Sequence, residues 1–562
     1  MKFKLYFLLP LLAAGLAACD DDLDEQVYNV LTDSTAFTSA ENAQAAVNAM
    51  YGPLQTIYRD PMFQASDGVT DICLALGVSD FEVLNDEGVR TSSHLTTCWN
   101  GFYQVVSRAN IVVDRVGPMA EGLFQDEQYD RNQMLGEAHF MRAYAYLQLS
   151  DLFYQVPLVM TSDVDVAAKL PFAPVAEIED SIESDLRKAI ELLPLSYASN
   201  ADGGRPTVGA ARGYLVRLLM RQAGRLRQNG GDAASVWNKA LTEVNKVLEL
   251  EGSVYSLQPH VWDIYNPDSE STLYNNELMF AIRANYAGSN GTWDLGLMFT
   301  NWDYDRGWNL FVVPLEQYWK YEAGDERLTT LIVDEFPNTY NDPSNPAAAT
   351  YYYAPATIND VTTISHSNLN ADGTIKPGEE YGTIGELGSV FTRKYEYHNL
   401  TYTYQTHNNV PLLRFADMLM CKAEILNELN GPTQEAIDLI NRIRERAFQN
   451  SDHNFVLGNY GSKEALRSAI CDERAIEFGL ECCRRVDLVR MGLWKDRMEK
   501  YFAAIKARSE MKEKNEGKDS GYYSSEWMKY PTNLTEDDVR RYMPVPKRET
   551  DYNPELANAR TF

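Results

Sequence analysis

A chain of 562 residues exceeds the size at which one hydrophobic core usually stops growing, and length alone allows roughly three or four domains. With 45% hydrophobic and 11% aromatic residues it can bury a sizeable core, which rules out intrinsic disorder for most of it. Its 80 acids against 51 Lys and Arg leave a net charge of −29, which excludes broad electrostatic binding of nucleic acid or of anionic lipid. Neutral ligands remain.

Residues 1–18 read as a secretory signal peptide, with Lys2 and Lys4, an apolar run from Leu5 onward, and small residues at the end. The run is too short to span a membrane. Leu16-Ala17-Ala18-Cys19 looks like a bacterial lipobox, whose cysteine becomes the acylated first residue of the mature protein. Asp20-Asp21-Asp22-Leu23-Asp24-Glu25 suits a solvated tether. A lipid-linked cysteine followed by acids also resembles the surface-export tag of lipoproteins in Bacteroidetes-type bacteria. Residues 19–40 are thus expected to form an acidic lipidated tether and N-terminal segment. No other stretch is apolar and long enough to span, so the lipid is the expected membrane anchor.

Helical periodicity fills 41–251. Residues 42–58 place Ala43, Val47, Met50, Leu54 and Ile57 on one face. Further helices are predicted over 99–116, 133–153, 177–193, 208–227 and 236–249, with Gly230-Gly231 making a hairpin of the last pair. Residues 252–409 differ. They are rich in Tyr, Trp, Asn, Asp, Gly and Pro, with short apolar pieces near 278–282 and 311–313, which predicts loops and short strands. In 410–562, helices are predicted over 411–429 and 433–447, split by Asn430-Gly431-Pro432, and over 463–480 with a continuation to about 490. The tail is irregular. Small residues at the expected crossings (Ala210, Ala240, Ala416, Ala436) resemble those of tetratricopeptide hairpins. The expected fold is mostly α: a tetratricopeptide-like helical hairpin scaffold with a loop-rich, short-strand insertion, and 41–562 as a single unit.

Signals for chemistry are sparse. The seven histidines never fall at metal-ligand spacing, and no nucleophile elbow, phosphate loop or dinucleotide fingerprint occurs. No catalytic residue, metal or cofactor is expected. Cys73, Cys98, Cys421, Cys471, Cys482 and Cys483 form no Cys-x-x-Cys pair; buried thiols are the default, and a Cys73–Cys98 bridge stays open. Arg474, Glu477, Glu481 and Arg484 have helical spacing and are expected to pair along one face, with Asp487 and Arg490 continuing it. Acids beside arginines stay ionised, which favours a structural role over a catalytic carboxylate pair. The positive signal is aromatic. Trp302, Tyr304 and Trp308 alternate with Asp303, Asp305 and Arg306 inside the loop-rich region. Flat rings with polar neighbours suit the apolar faces and hydroxyls of sugars.

Several segments together resemble the SusD/RagB family of outer-membrane nutrient-binding lipoproteins. They are WNGFYQVVSRAN (99–110), RAYAYLQLSDLFYQVPLV (142–159), LLRFADMLMCKAEILNEL (412–429) with AIDLINRIRERA (436–447), ERAIEFGLECCRRVDLVRMG (473–492) and YMPVPKRETDYNPELANARTF (542–562). Where that family usually has glycine in the fourth motif, Cys482 stands here, and Met491 replaces a common aromatic. The resemblance implies a SusD-like fold and non-catalytic capture of an oligosaccharide or polysaccharide at the cell surface. It implies delivery to a SusC-like, TonB-dependent outer-membrane barrel, and it brings Trp99, Asn100 and Asp67 near the ligand pocket. A surface glycoside hydrolase, or a peptide-binding member of the same family, is the alternative.

Overall fold

The computed structural model describes residues 37–75, 86–126, 128–165, 168–198, 203–266, 274–283, 295–300, 307–308, 310–338, 350–354, 385–386, 389–395, 408–514 and 542–557. Before the loop-rich region run α1 (Ala40–Ala49), α2 (Gly52–Ile57), α3 (Ser93–Val116), α4 (Arg131–Phe153), α5 (Val175–Leu192), α6 (Val208–Gln228) and α7 (Ala234–Leu248). After it come α8 (Phe415–Asn430), α9 (Gln434–Phe448), α10 (Lys463–Glu477), α11 (Arg484–Met491) and α12 (Trp494–Lys514). Local chemistry sets many of the starts. Ser39, Ser92, Asp130, Thr207, Thr433 and Ser462 each accept a backbone N–H in the first turn of the helix they precede. Such a cap contributes about 1 kcal/mol.

From α3 to α9 each helix packs on the next, as in a repeat stack. α7 packs directly on α8 although more than 160 residues separate them in the chain. The loop-rich region is therefore an insertion between two touching helices. Its base is closed by strand Leu278–Ile282, antiparallel to Val410–Arg414. A second sheet runs Leu74–Ala75, Phe311–Pro314, Ser389–Thr392 and Ile332–Val333, all antiparallel, so the N-terminal part supplies one edge of it. One apolar cluster extends from Ala43 to Leu556. α4 lies deepest: Phe140, Met141, Tyr144, Leu149 and Phe153 are all buried, on every side of the helix.

The mostly α, tetratricopeptide-like architecture matches the expectation from sequence, and the chain departs from it at four places. The 42–58 run breaks after Ala49 because Gly52-Pro53 starts a new helix. Residues 410–414 form a strand, not the first turn of a helix. α12 was not anticipated, although Trp494, Met498, Tyr501 and Ile505 recur at helical spacing and are buried; ten charged residues between Asp496 and Lys514 interrupt that stripe. The 463–490 run is cut by a turn in which Leu480 and Cys482 take positive φ, 64° and 60°.

That turn redirects the charged residues. Arg474, Glu477, Glu481 and Arg484 do not pair with one another; each reaches a different element. Buried Glu477 accepts from Arg414 (2.9 Å) and Arg327 (3.3 Å) and also pairs with Arg446. Glu481 accepts from Arg414 (2.9 Å), Lys394 (2.8 Å) and the Tyr265 hydroxyl (2.6 Å). Glu277, at the insertion base, accepts from Arg414 at 2.6 Å and Arg446 at 3.1 Å. Arg474 joins Asp417 (2.6 Å) to Asp487 (2.7 Å), and Arg484 grips Asp71 at 2.8 and 2.7 Å. The Asp487–Arg490 pair alone follows helical spacing, at 2.6 Å. Burial pushes the Glu477 carboxyl upward, but Arg446, Arg414 and Arg327 overcome it and hold the group well below the usual carboxylate range. The acids are ionised struts. Cys73, Cys98, Cys421, Cys471 and Cys482 are buried free thiols, and Cys483 is a part-buried one.

Candidate functional site

α3, the 157–170 segment and the short C-terminal helix Lys547–Tyr552 enclose an open cleft of about 430 Å³. That volume falls within the range of sites that hold small ligands. Three contacts fix its walls. The Tyr103 hydroxyl donates to the Pro157 carbonyl at 2.8 Å, the Asn553 amide donates to the Leu170 carbonyl at 2.7 Å, and Arg90 donates to Thr550 at 2.9 Å. α3 brings Trp99, Asn100, Tyr103 and Gln104 to the cleft, and the C-terminal segment brings Glu549, Tyr552 and Asn553.

The lining is amphipathic. The Tyr552 ring is 57% exposed, although Leu556 beside it is buried. Trp99 is 3% exposed, braced by Tyr103 and Phe153 at centroid distances of 5.1 and 4.9 Å, so its position is fixed by packing. Glu549 is the single acid among the described lining residues. Partial burial raises its carboxyl, opposed by Arg548 and by a hydrogen bond with Trp99. Glycoside hydrolysis ordinarily needs two carboxylates facing one bond. This cleft offers one, and among the described residues no cluster of His, Cys, Asp or Glu is arranged to hold a metal ion.

The structure separates the residues singled out in the sequence. Trp99 and Asn100 meet in the cleft. Asp67 does not line it: it is fully buried and accepts the backbone N–H groups of Cys482 (2.9 Å) and Arg484 (3.1 Å). Burial raises its carboxyl to about 7 despite those hydrogen bonds. Asp67 thus holds the α10–α11 turn in place, and its oxygens face the protein interior. Trp302 and Tyr304 lie outside the described residues, as do Cys19 and the acidic tether. Trp308 stands at a neck between the described residues 295–300 and 307–308, where its backbone N–H donates to the Leu297 carbonyl at 2.6 Å. A Cβ at Gly307 would lie 2.0 Å from the Thr300 carbonyl, so only glycine lets the two sides of the neck approach. The Trp308 side chain is 48% exposed. It is not part of the cleft lining. Tyr318 ends the short helix Leu315–Tyr318 and donates to Asp334 at 2.9 Å. The C-terminal wall was missed. Its one sequence signal is Tyr552 following the charged Lys547-Arg548-Glu549 turn, an aromatic with no apolar stripe to join.

Comparison with known proteins decides the family. A model described as the SusD family matches residues 284–560, and one described as starch-binding associating with outer membrane matches residues 23–220. The chain belongs to the SusD family. SusD-like protein P2 of Formosa agariphila is 25% identical over 524 residues, covering 88% of this chain and 91% of that protein. A SusD-like protein of Bacteroides ovatus is 24% identical, covering 89% and 85%. Surface glycan-binding protein A of Bacteroides thetaiotaomicron, solved in complex with laminarihexaose, superposes with a TM-score of 0.65 at 18% identity, covering 92% of this chain and 99% of that one. A SusD superfamily protein of Parabacteroides distasonis gives 0.65 at 19% identity, covering 94% and 98%. These structural likenesses carry the SusD fold. No described helix is long and apolar enough to cross a membrane.

Proposed function

We propose that this SusD-family chain is a non-catalytic receptor that captures an extracellular oligosaccharide and passes it to a SusC-like, TonB-dependent barrel. The observation that carries the reading is the cleft beside Trp99. It combines an exposed tyrosine ring, amides at Asn100 and Gln104, and one carboxylate, the mixture that suits a neutral polyhydroxylated ligand. Exposed Trp308, with Trp302 and Tyr304 a few positions before it in sequence, supplies a second sugar-stacking surface. Family membership and the laminarihexaose-bound structural neighbour support the ligand class. The outer-membrane description of the matching model supports the location, with Cys19 as the acylated anchor. The barrel partner rests on family membership.

Calorimetric titration of the purified chain against neutral oligosaccharides, with short peptides as competitors, tests the ligand class. Saturable glycan binding without release of reducing ends is the expected result. Release of reducing ends would make the protein a glycoside hydrolase, and peptide binding alone would move it to the peptide-capturing branch. Fatty-acid labelling that persists in Cys19→Ala would refute the anchor.

A further inference from the structure

Several buried arginines have carboxylate partners. Arg142 meets Asp185, Arg327 meets Asp325 and Glu473, Arg414 meets Glu277 and Glu477, and Arg484 meets Asp71. Arg283, just past the strand at the insertion base, has none among the described residues. Its guanidinium lies 4.8 Å from the Tyr274 ring centroid, and its Nε and Nη1 are buried without a hydrogen-bond partner. On the other side the Gly203 backbone comes so close that a Cβ there would lie 2.2 Å from Nη1. Burial lowers Arg283 to about 10, and only Tyr274 acts against it.

A half-buried cation with idle donors is costly to keep unless something else completes it. The chain does not lack acids, with 80 of them against 51 cations. The arrangement nonetheless braces this guanidinium with an aromatic face and a glycine instead of neutralising it. Nε and Nη1 are shielded, but Arg283 as a residue is only part-buried, so an external group meets the guanidinium at its remaining nitrogen, Nη2. A planar guanidinium fork is the side chain best suited to an oxyanion.

We propose that Arg283, braced by Tyr274 and Gly203, is a subsite for an oxyanion substituent on a sugar ligand, a uronate carboxylate or a sulfate ester. The proposal rests on the glycan-capture reading and sharpens it to acidic glycans. One charged sugar per chain then docks at Arg283, while neutral sugars occupy the aromatic surfaces.

The test is calorimetry on the full mature chain with hexagalacturonate, its fully methyl-esterified form, a sulfated galactan oligosaccharide and maltohexaose. The expected result is that hexagalacturonate or the sulfated oligosaccharide binds roughly 10-fold or more tighter than the uncharged hexamers, with a preference that shrinks as salt rises. Whichever of the two shows the gain names the oxyanion. Arg283→Gln should abolish that preference, leave binding of the uncharged hexamers unchanged, and leave the melting temperature equal or higher, because an uncompensated cation has been removed. Arg283→Lys should retain part of the preference. Equal binding of charged and uncharged hexamers by the native chain would overturn the subsite while leaving glycan capture intact. A lowered melting temperature in Arg283→Gln, with all ligands weakened alike, would make Arg283 a structural brace and also overturn it. Binding of no saccharide at all would sink the glycan reading and the subsite with it.

Discussion

The clasp around Glu477 and the cleft beside Trp99 are built from similar residues to opposite ends. In the clasp, acids and arginines from α9, α10, the insertion and the strand before α8 meet with their charges paired out of water. In the cleft, Glu549 has one indole partner and Tyr552 stands open to solvent. Both regions join segments remote in sequence. The clasp pairs its charges internally and so holds the fold, whereas the cleft keeps a part-buried carboxylate and an exposed ring at the surface, where the proposed ligand would meet them. Stability and recognition are thereby placed on different residues, and substitutions should separate them.

Glu477→Ala is the strongest way to break the clasp. It takes one carboxylate from each of Arg327, Arg414 and Arg446 at once, and loss of one partner from a buried ion pair costs about 3–5 kcal/mol. Urea unfolding should show that loss, with ligand affinity of the surviving folded fraction unchanged. Acid should loosen the same region. Glu477, Glu481 and Asp487 are held below their ordinary values, so their contribution is complete above pH about 4.5 and is lost as pH falls through the carboxylate range. Asp67 runs the other way. Raised to about 7, it contributes fully below its unfolded value near 3.8, and that contribution disappears as pH rises through 7. Melting temperature should therefore rise with pH up to about 4.5, fall from there to about 7 as the Asp67 contribution is lost, and level off above; Asp67→Asn should remove that fall alone.

Tyr552→Ala and Trp308→Ala probe the open side. If each ring stacks on a sugar, its loss should cost about 1–3 kcal/mol of binding by analogy with planar bases on aromatics, while stability moves by only about 0.5 kcal/mol. Paired titrations and melts would show it. Large melting losses with intact affinity would return these rings to the scaffold. The smallest effect is expected at Cys482→Gly. Cys482 sits at φ 60°, where a side chain is strained, so glycine should stabilise the fold by about 0.5–1 kcal/mol provided the buried thiol contributes little packing. Denaturant midpoints of the two proteins would decide it.

The helices were legible wherever one face was apolar and the other was not. α5 and α7 were read to within two residues because Ile178, Ile182, Leu186, Ala189 and Val244, Val247 recur at helical spacing and are buried. α12 has such a stripe in Trp494, Met498, Tyr501 and Ile505, but it was overlooked among the charged residues around it. The 463–490 run misled because hydrophobic spacing continues through Phe478 and Leu480 while the backbone turns. Gly479 does mark the turn, but the two positive-φ positions, 480 and 482, carry leucine and cysteine, not the glycine such positions favour. The site was harder to read. Trp99 and Asn100 announce themselves through a family resemblance, but the wall opposite comes from residues some 450 positions later, and no local pattern encodes that meeting. Asp67 illustrates the reverse: a polar residue beside a recognisable segment, whose oxygens are taken by backbone groups more than 400 positions away.

The strand pair Leu278–Ile282 and Val410–Arg414 grips both ends of the insertion at one point, on helices that already touch. Within it, Arg327 and Lys394 are pinned again by Glu473 and Glu481. A segment whose ends are fastened in this way is nearly indifferent to its own length, since doubling a flexible loop costs only about 0.6 kcal/mol. The stretch between the paired strands Ile332–Val333 and Ser389–Thr392 is thus an exchangeable cartridge. Evolution or a designer can lengthen, shorten or replace it to meet a new ligand, and the helical stack will fold as before.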